Sequence, residues 1–425
     1  MRFRLAACLV VLVGLTAALA MNWSRWTVAR QINAACRALE SRDPDIALAI
    51  LKDVSTAAPL RGDLYFWMAR AYRRQGRLDE VRRCLHTAKR LGFSTDRVQR
   101  EEWLAMAQVG QLKEAEPHLI DLLLDPGDDG PDICEAYVNG CFATHRFPQA
   151  LKILDVWEKD FPRDPQPYLF HAILSKMSMA HIQVVENFRK AFKLAPNRFD
   201  IRLKLALALM DLSNTQEASQ HFEWLLKKRP EDPDVQTGWG KLLIQMGKLD
   251  LARETLEGVQ KSHPEQIESL VALGQLELTA NHLDQAIQLL QKVAERERHN
   301  SEARYALANA LQQAGRTREA REQYEFVTKA HAAQQKLQRL RNQVMVDTND
   351  VEARFQIAEL LRDYGTPAER LGWLRSIIQI NARYRPAYIA LVECYEALGQ
   401  DKEAQKHQQL ADLLSEISEP LPVTR

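Results

Sequence analysis

The sequence predicts an all-α solenoid of about eleven helix-turn-helix repeats, and three observations carry that prediction. A small side chain returns at a fixed interval: Ala47, Val81, Ala115, Ala150, Val184, Ala218, Ala252, Ala286 and Ala320 follow one another in steps of 34 or 35. Arg370 continues the series after a step of 50, and Ala404 after a further 34. Between these positions a glycine recurs, as Gly76, Gly110, Gly247, Gly315, Gly365 and Gly399. A proline closes several units, at Pro59, Pro162, Pro196, Pro230 and Pro264. A period of this length means stacked supersecondary units. The 425 residues therefore add layers along one axis and need no single closed core.

Unit starts at residues 28, 62, 96, 131, 165, 199, 233, 267, 301, 351 and 385 bring further positions into register. The eighth is small in Ala35, Ala69, Ala172, Ala206, Gly240, Gly274, Ala308 and Ala358. The twenty-fourth is bulky in Leu51, Leu85, Leu119, Leu154, Phe188, Phe222, Leu256, Leu290, Tyr324 and Leu374. Small residues at positions eight and twenty let two antiparallel helices approach, and the bulky one fills the space beside them. Glycine at position fifteen, or Asn281 in one unit, ends the first helix by accepting a left-handed backbone. Proline near the end stops the second helix.

Ahead of the repeats, Arg2 and Arg4 precede an apolar run from Leu5 to Ala20, and no further charge appears before Arg25. At about 1.5 Å of rise per residue, such a run spans the roughly 30 Å of a bilayer's hydrocarbon. Ala18-Leu19-Ala20 also offers the small-x-small pattern of signal-peptidase cleavage. Two fates stay open: a retained signal anchor, with Trp23 and Trp26 at the interface, or a cleaved signal peptide. Both export the repeats. Leu5-Ala6-Ala7-Cys8 is similar to a lipobox, but it precedes the apolar core, which argues against lipidation.

The repeat resembles the tetratricopeptide repeat (TPR), whose motif runs W-x2-L-G-x2-Y, then A-x3-F, then P. Residues 233–266 supply Trp239, Gly240, Gly247, Ala252, Leu256 and Pro264 in register, and the resemblance extends over residues 28–417. It implies a right-handed superhelix with ligands in a concave groove, lined by first helices at positions two, five, nine, twelve and thirteen. Those positions place Phe66, Arg70, Arg73, Arg74, Arg97 and Arg100 at a basic end. Leu169, Ile173, Leu203 and Leu207 form an apolar middle, and Glu359, Asp363, Glu393 and Glu396 an acidic end. Such a gradient would orient an extended or helical peptide. Some TPR proteins grip a C-terminal carboxylate with Lys at position five and Asn at nine. Here Asn139 and Asn309 follow Glu135 and Tyr305, so that clamp is absent.

Trp103 at a small position and Met179 in place of a turn glycine predict looser packing in their repeats, and Arg370 stands in place of the recurring alanine. The long step holds sixteen extra residues, 335–350, in which Leu337, Leu340 and Val344 fall at helical spacing before the polar break Asp347 to Asp350. The expected organisation is a leader over 1–27, a nine-repeat array over 28–334, a helical extension over 335–350, a two-repeat module over 351–417 and a tail over 418–425. In the last helix, Gln405, His407, Gln408 and Gln409 give the polar outer face of a terminal cap.

Catalytic chemistry finds no foothold. No P-loop, GxSxG, HExxH or CxxC motif occurs. Cys134 and Cys141 lie seven apart, roughly 10.5 Å along a helix, too far to share one zinc, with His145 as the third candidate. The acidic stretch Asp125 to Asp132 lacks the ligand spacing of an EF-hand and reads as a solvated turn between repeats. The cysteines after the leader, Cys36, Cys84, Cys134, Cys141 and Cys394, are odd in number and irregularly spaced, which fits buried thiols better than disulfides. A net charge of +1 gives no bulk support for a nucleic-acid partner. The charge is uneven, however: residues 61–104 carry eleven Arg or Lys against six acids, and residues 114–135 carry eight acids and no Lys or Arg.

An apolar N-terminal helix before a TPR array also looks like the lipopolysaccharide assembly protein B family, membrane-anchored regulators of envelope lipid synthesis. That family ends in a zinc module with paired CxxC motifs, and here the last 284 residues hold only Cys394. It would also place the array in the cytoplasm. The expectation is instead a non-enzymatic scaffold of a bacterial envelope, without cofactor or metal. It would bind proteins or peptides in its groove, either anchored in the inner membrane facing the periplasm or released there after cleavage.

Overall fold

The computed structural model describes residues 26–418, and among them every regular element is helical. The leader reading over 1–27 and the tail reading over 418–425 lie almost wholly outside these residues. Among the described residues no helix is long and apolar enough to cross a membrane.

Two compact units divide between Ala143 and Thr144. The first holds α1 (26–40), α2 (Pro44–Ala57), α3 (Gly62–Arg74), α4 (Leu78–Arg90), α5 (Thr95–Gln108), α6 (Leu112–Leu124), a 3-10 turn (Gly127–Asp129) and α7 (Gly130–Ala143). The second opens with α8 (Phe147–Asp160), α9 (Gln166–Met177), α10 (His181–Leu194), α11 (Phe199–Asp211), α12 (Thr215–Lys228), α13 (Pro233–Gln245) and α14 (Leu249–Ser262). It continues through α15 (Ile267–Thr279), α16 (Leu283–Arg296), α17 (Ser301–Gln313), α18 (Thr317–Val346), α19 (Val351–Tyr364), α20 (Pro367–Ile380), α21 (Arg385–Ala397) and α22 (Asp401–Ser418). First helices start within two residues of the positions read from the sequence.

The turn after each first helix repeats one geometry. Arg42, Gly76, Gly110, His145, Met179, Ser213, Gly247, Asn281, Gly315 and Gly399, all at position fifteen, have φ between 54° and 87°. At Gly247 the chain closes the helix with two backward bonds, Gly247 N–H to Ile244 O and Lys248 N–H to Leu243 O, both 2.9 Å. This double bond satisfies carbonyls the helix end leaves open. Met179 adopts the same backbone at φ 57°, so the repeat imposes the turn even on a residue with a Cβ. Gly365 is the exception, at φ −131°.

The paired helices touch where the small residues stand. Ala47, Ala115, Ala150, Ala218, Ala252, Ala286 and Ala320 have no exposed surface. A Cβ added to Gly240 would lie 2.7 Å from Leu256 Cδ2, and one added to Gly274 would lie 2.6 Å from Leu290 Cγ. Positions eight and twenty-four thus meet directly. The departures are absorbed by specific partners. Trp103 stacks on His118 of the following helix, centroids 4.0 Å apart and planes within 8°. Arg370 is buried, donating from Nε to Ala358 O at 3.2 Å and from Nη2 to Glu359 and Glu393.

Helix α18 runs unbroken through the insertion. Its C-terminal half buries Leu337, Leu340 and Val344 against Ile357, Trp373, Leu374 and Leu391. In α22, Gln405, Gln408 and Gln409 are exposed, but His407 turns inward, 4.9 Å from the Tyr395 ring. The expected polar face therefore excludes His407.

Within the second unit, residues 210 positions apart meet. Buried Arg354 on α19 donates to Thr144 O at 3.0 Å, Thr348 O at 2.7 Å, Ser376 Oγ at 2.7 Å and His145 O at 3.3 Å. The His145 ring lies flat on Trp373 of α20, centroids 3.6 Å apart. Residue His145 is only half-buried, yet both its ring nitrogens are sheltered from solvent and lack a hydrogen-bond partner. Burial, then the nearby cations Arg354 and Arg341, push the imidazole well below its ordinary range, so it is neutral. The unfolded chain, whose histidine titrates near about 6.5, then binds the extra proton. The contribution is intact above that pH and declines as pH falls below it, by up to about 1.4 kcal/mol per unit. Denaturant melts between pH 7 and pH 5 should show this slope, and His145→Phe, which keeps the stacked ring, should flatten it. Equal slopes in both proteins would contradict the assignment.

Candidate partner-binding surface

The basic end expected from the sequence is a buried ion-pair network. On α3, Arg70 and Arg73 are 6% and 1% exposed, and Glu101 on α5 is 1% exposed. Arg73 Nε reaches Glu101 Oε1 at 2.5 Å and Nη2 reaches Asp132 Oδ1 at 2.9 Å. Arg70 binds Glu101 at 3.3 Å and Asp129 at 2.8 Å, Arg74 binds Asp132 at 2.9 Å and Leu39 O, and Arg100 binds Asp129 at 3.3 Å. Arg42 pairs with Glu135. First helices α3, α5 and α7 pack directly on one another, which brings three consecutive repeats within reach of one guanidinium cluster.

Burial opposes ionisation of Asp132, but Arg73, Arg74, Arg70 and Arg42 hold its carboxyl far below the usual carboxylate range. For Arg70, burial disfavours the charge and Glu101, Asp132 and Asp129 outweigh it, raising its pKa. Phe66 is 1% exposed and stacked on Phe93, with Arg97 over its ring at 4.7 Å. Arg97 alone of this group is exposed. Phe66, Arg70, Arg73 and Arg74 are therefore packing and pairing residues and are not presented to a ligand. The 125–132 stretch is corrected too: Asp129 and Asp132 are internal counter-ions, not parts of a solvated turn. They were missed as partners although the basic run 61–104 and the acidic run 114–135 pointed to each other.

The second unit differs. First helices α11, α13, α15 and α17 contact their first-helix neighbours, while second helices stand farther apart, so the first-helix side is the inner side of the curve. Ile173 and Leu207 are 42% and 39% exposed there, Leu203 is half-buried and Leu169 is buried. At the far end Asp363, Glu393 and Glu396 are exposed and Glu359 is half-buried. Glu359 and Glu393 share Arg370, at 3.1 Å and 2.9 Å. The Asn309 side chain, at a clamp position in some TPR proteins, accepts from Tyr324 Oη at 2.6 Å. Cys134 and Cys141 are buried in α7. Among the described residues no group of three His, Cys, Asp or Glu is placed to hold a metal ion.

Comparison with known proteins agrees with the repeat architecture. The tetratricopeptide repeat family model matches residues 38–100, 209–274 and 277–344, so the chain carries tetratricopeptide repeats. A human IFIT1 dimer with PPP-AAAA is 18% identical, with TM-score 0.42 over 83% of this chain and 91% of that one. Yeast Tom70 is 15% identical, with TM-score 0.34 over 92% of each chain. A MamA structure is 19% identical, with TM-score 0.25 over 54% of this chain and 98% of that one. Likeness at such TM-scores carries no functional argument. No curated protein matches the chain.

Removing one partner of a buried pair leaves the other charge uncompensated, at about 3–5 kcal/mol. Asp132→Ala should therefore destabilise the first unit by about that amount, read by denaturant unfolding. The depressed carboxyl means its contribution is present above an unfolded-state value near about 3.9 and is lost only as pH falls through the lower folded value. A variant as stable as the parent at neutral pH would refute the network.

Proposed function

We propose that this chain is a non-enzymatic scaffold that holds a protein or peptide partner against the first-helix face of its second unit. One observation carries the reading. Ile173 and Leu207 stay exposed in register on successive first helices, while Arg70, at the same repeat position of α3 in the first unit, is buried against Glu101 and Asp129. An adjacent pair of exposed large apolar side chains on the inner side of a repeat array suits an inserted side-chain row. The apolar run from Leu5 to Ala20 supports export to a bacterial envelope, with the array anchored at the inner membrane or released from it.

Photo-crosslinking probes at Ile173, Leu207 and Glu359, compared with probes at Lys227 and Lys261 on the exposed second-helix side, test the placement. Partner adducts should form from the first set and be absent from the second. Adducts confined to Lys227 and Lys261 would reverse the assignment.

A further inference from the structure

We infer that the first-helix face of the second unit selects a cationic amphipathic segment, one whose apolar stripe is flanked by Lys or Arg. This inference rests on the proposed groove and names the chemistry of its occupant. Five consecutive first helices, α11, α13, α15, α17 and α19, carry an acid at their second position: Asp200, Asp234, Glu268, Glu302 and Glu352. All five sit in a first helical turn, where the helix dipole favours a carboxylate. That explains why acids are tolerated at one end of each helix. It does not explain the scarcity of counter-ions.

Asp200 is paired with Arg198 at 2.6 Å. Asp234 accepts from Gln266 at 2.8 Å, Glu302 from Gln275 at 2.8 Å and Glu352 from Tyr384 at 3.2 Å, all neutral donors. The groove positions of α11, α13, α15 and α17 hold five carboxylates (Asp200, Asp211, Asp234, Glu268 and Glu302) and one cation, Lys241, with Asp200 already paired to Arg198 outside those positions. Ile173, Leu207 and Tyr305, the last 53% exposed, supply the apolar contacts on the same helices or their neighbour.

The sign of the field decides between classes of ligand. Carboxylates repeated at the interval of the repeat attract a row of cations and repel a phosphate backbone. A helix or extended strand laid across successive layers meets one acid per layer, while its apolar side chains reach Ile173, Leu207 and Tyr305. Nucleic acid is the alternative that this arrangement disfavours.

The test titrates the full chain with three probes: a short Leu/Lys amphipathic peptide, a Leu/Glu peptide of the same pattern, and a single-stranded oligonucleotide. The Leu/Lys peptide should bind at least tenfold tighter than the other two and weaken as salt rises. The combined variant Asp234→Asn, Glu268→Gln and Glu302→Gln, checked for a parental melting curve, should lose at least tenfold in affinity for it and most of the salt dependence. A photo-probe at Leu207 separates the two levels of the argument. Crosslinking at Leu207 with affinity unchanged in the variant would overturn the charge inference and leave the groove standing. Crosslinking only from second helices would overturn the groove itself. Equal binding of the Leu/Glu peptide, or preference for the oligonucleotide, would also overturn the inference.

Discussion

Most layers of this chain depend on how closely two antiparallel helices can approach at a residue with a small side chain. The buried alanines at position twenty and the small residues at position eight set that distance, and the leucine at position twenty-four occupies the space that remains. Because the contact is short, the turn between the helices must also be short. A left-handed residue at position fifteen supplies it, whether that residue is glycine, Asn281 or Met179. Spacing, turn and core are thus one constraint seen at three positions.

A second consequence concerns charge. Stacking brings first helices of successive repeats together, so a charged row on one helix must find counter-charges on its neighbours, or remain exposed for something else to meet. The first unit takes the former course: Arg70, Arg73 and Arg74 are matched by Glu101, Asp129 and Asp132 in a nearly dry cluster. In the second unit Asp234, Glu302 and Glu352 have neutral partners instead. Which surface is open to a partner is therefore decided by which charges the fold uses internally.

The repeat boundaries were legible because period, turn residue and small residue are each written in sequence at fixed offsets. The unbroken α18 was legible too, from the helical spacing of Leu337, Leu340 and Val344. The candidate site was legible only by position. Register identifies Arg73 as a first-helix residue, but it cannot say that Glu101 and Asp132 will close over it, since that depends on how three repeats converge. The pairing of Arg354 with the backbone at Thr144 and His145 had no signal at all, because it joins residues 210 and 209 apart with no shared motif. Arg370 shows the converse. It was visible as an exception to the alanine series, and its buried bonds to Ala358, Glu359 and Glu393 explain the exception only after the fact.

The packing constraint is most directly tested by comparing Ala252→Leu with Leu251→Ala in denaturant unfolding. Ala252 has no exposed surface and Leu251 is 53% exposed. Overfilling the helix contact should lower stability by about 1–3 kcal/mol, whereas trimming its exposed neighbour should stay within about 0.5 kcal/mol. An Ala252→Leu protein that unfolds with the parent's midpoint would contradict the account.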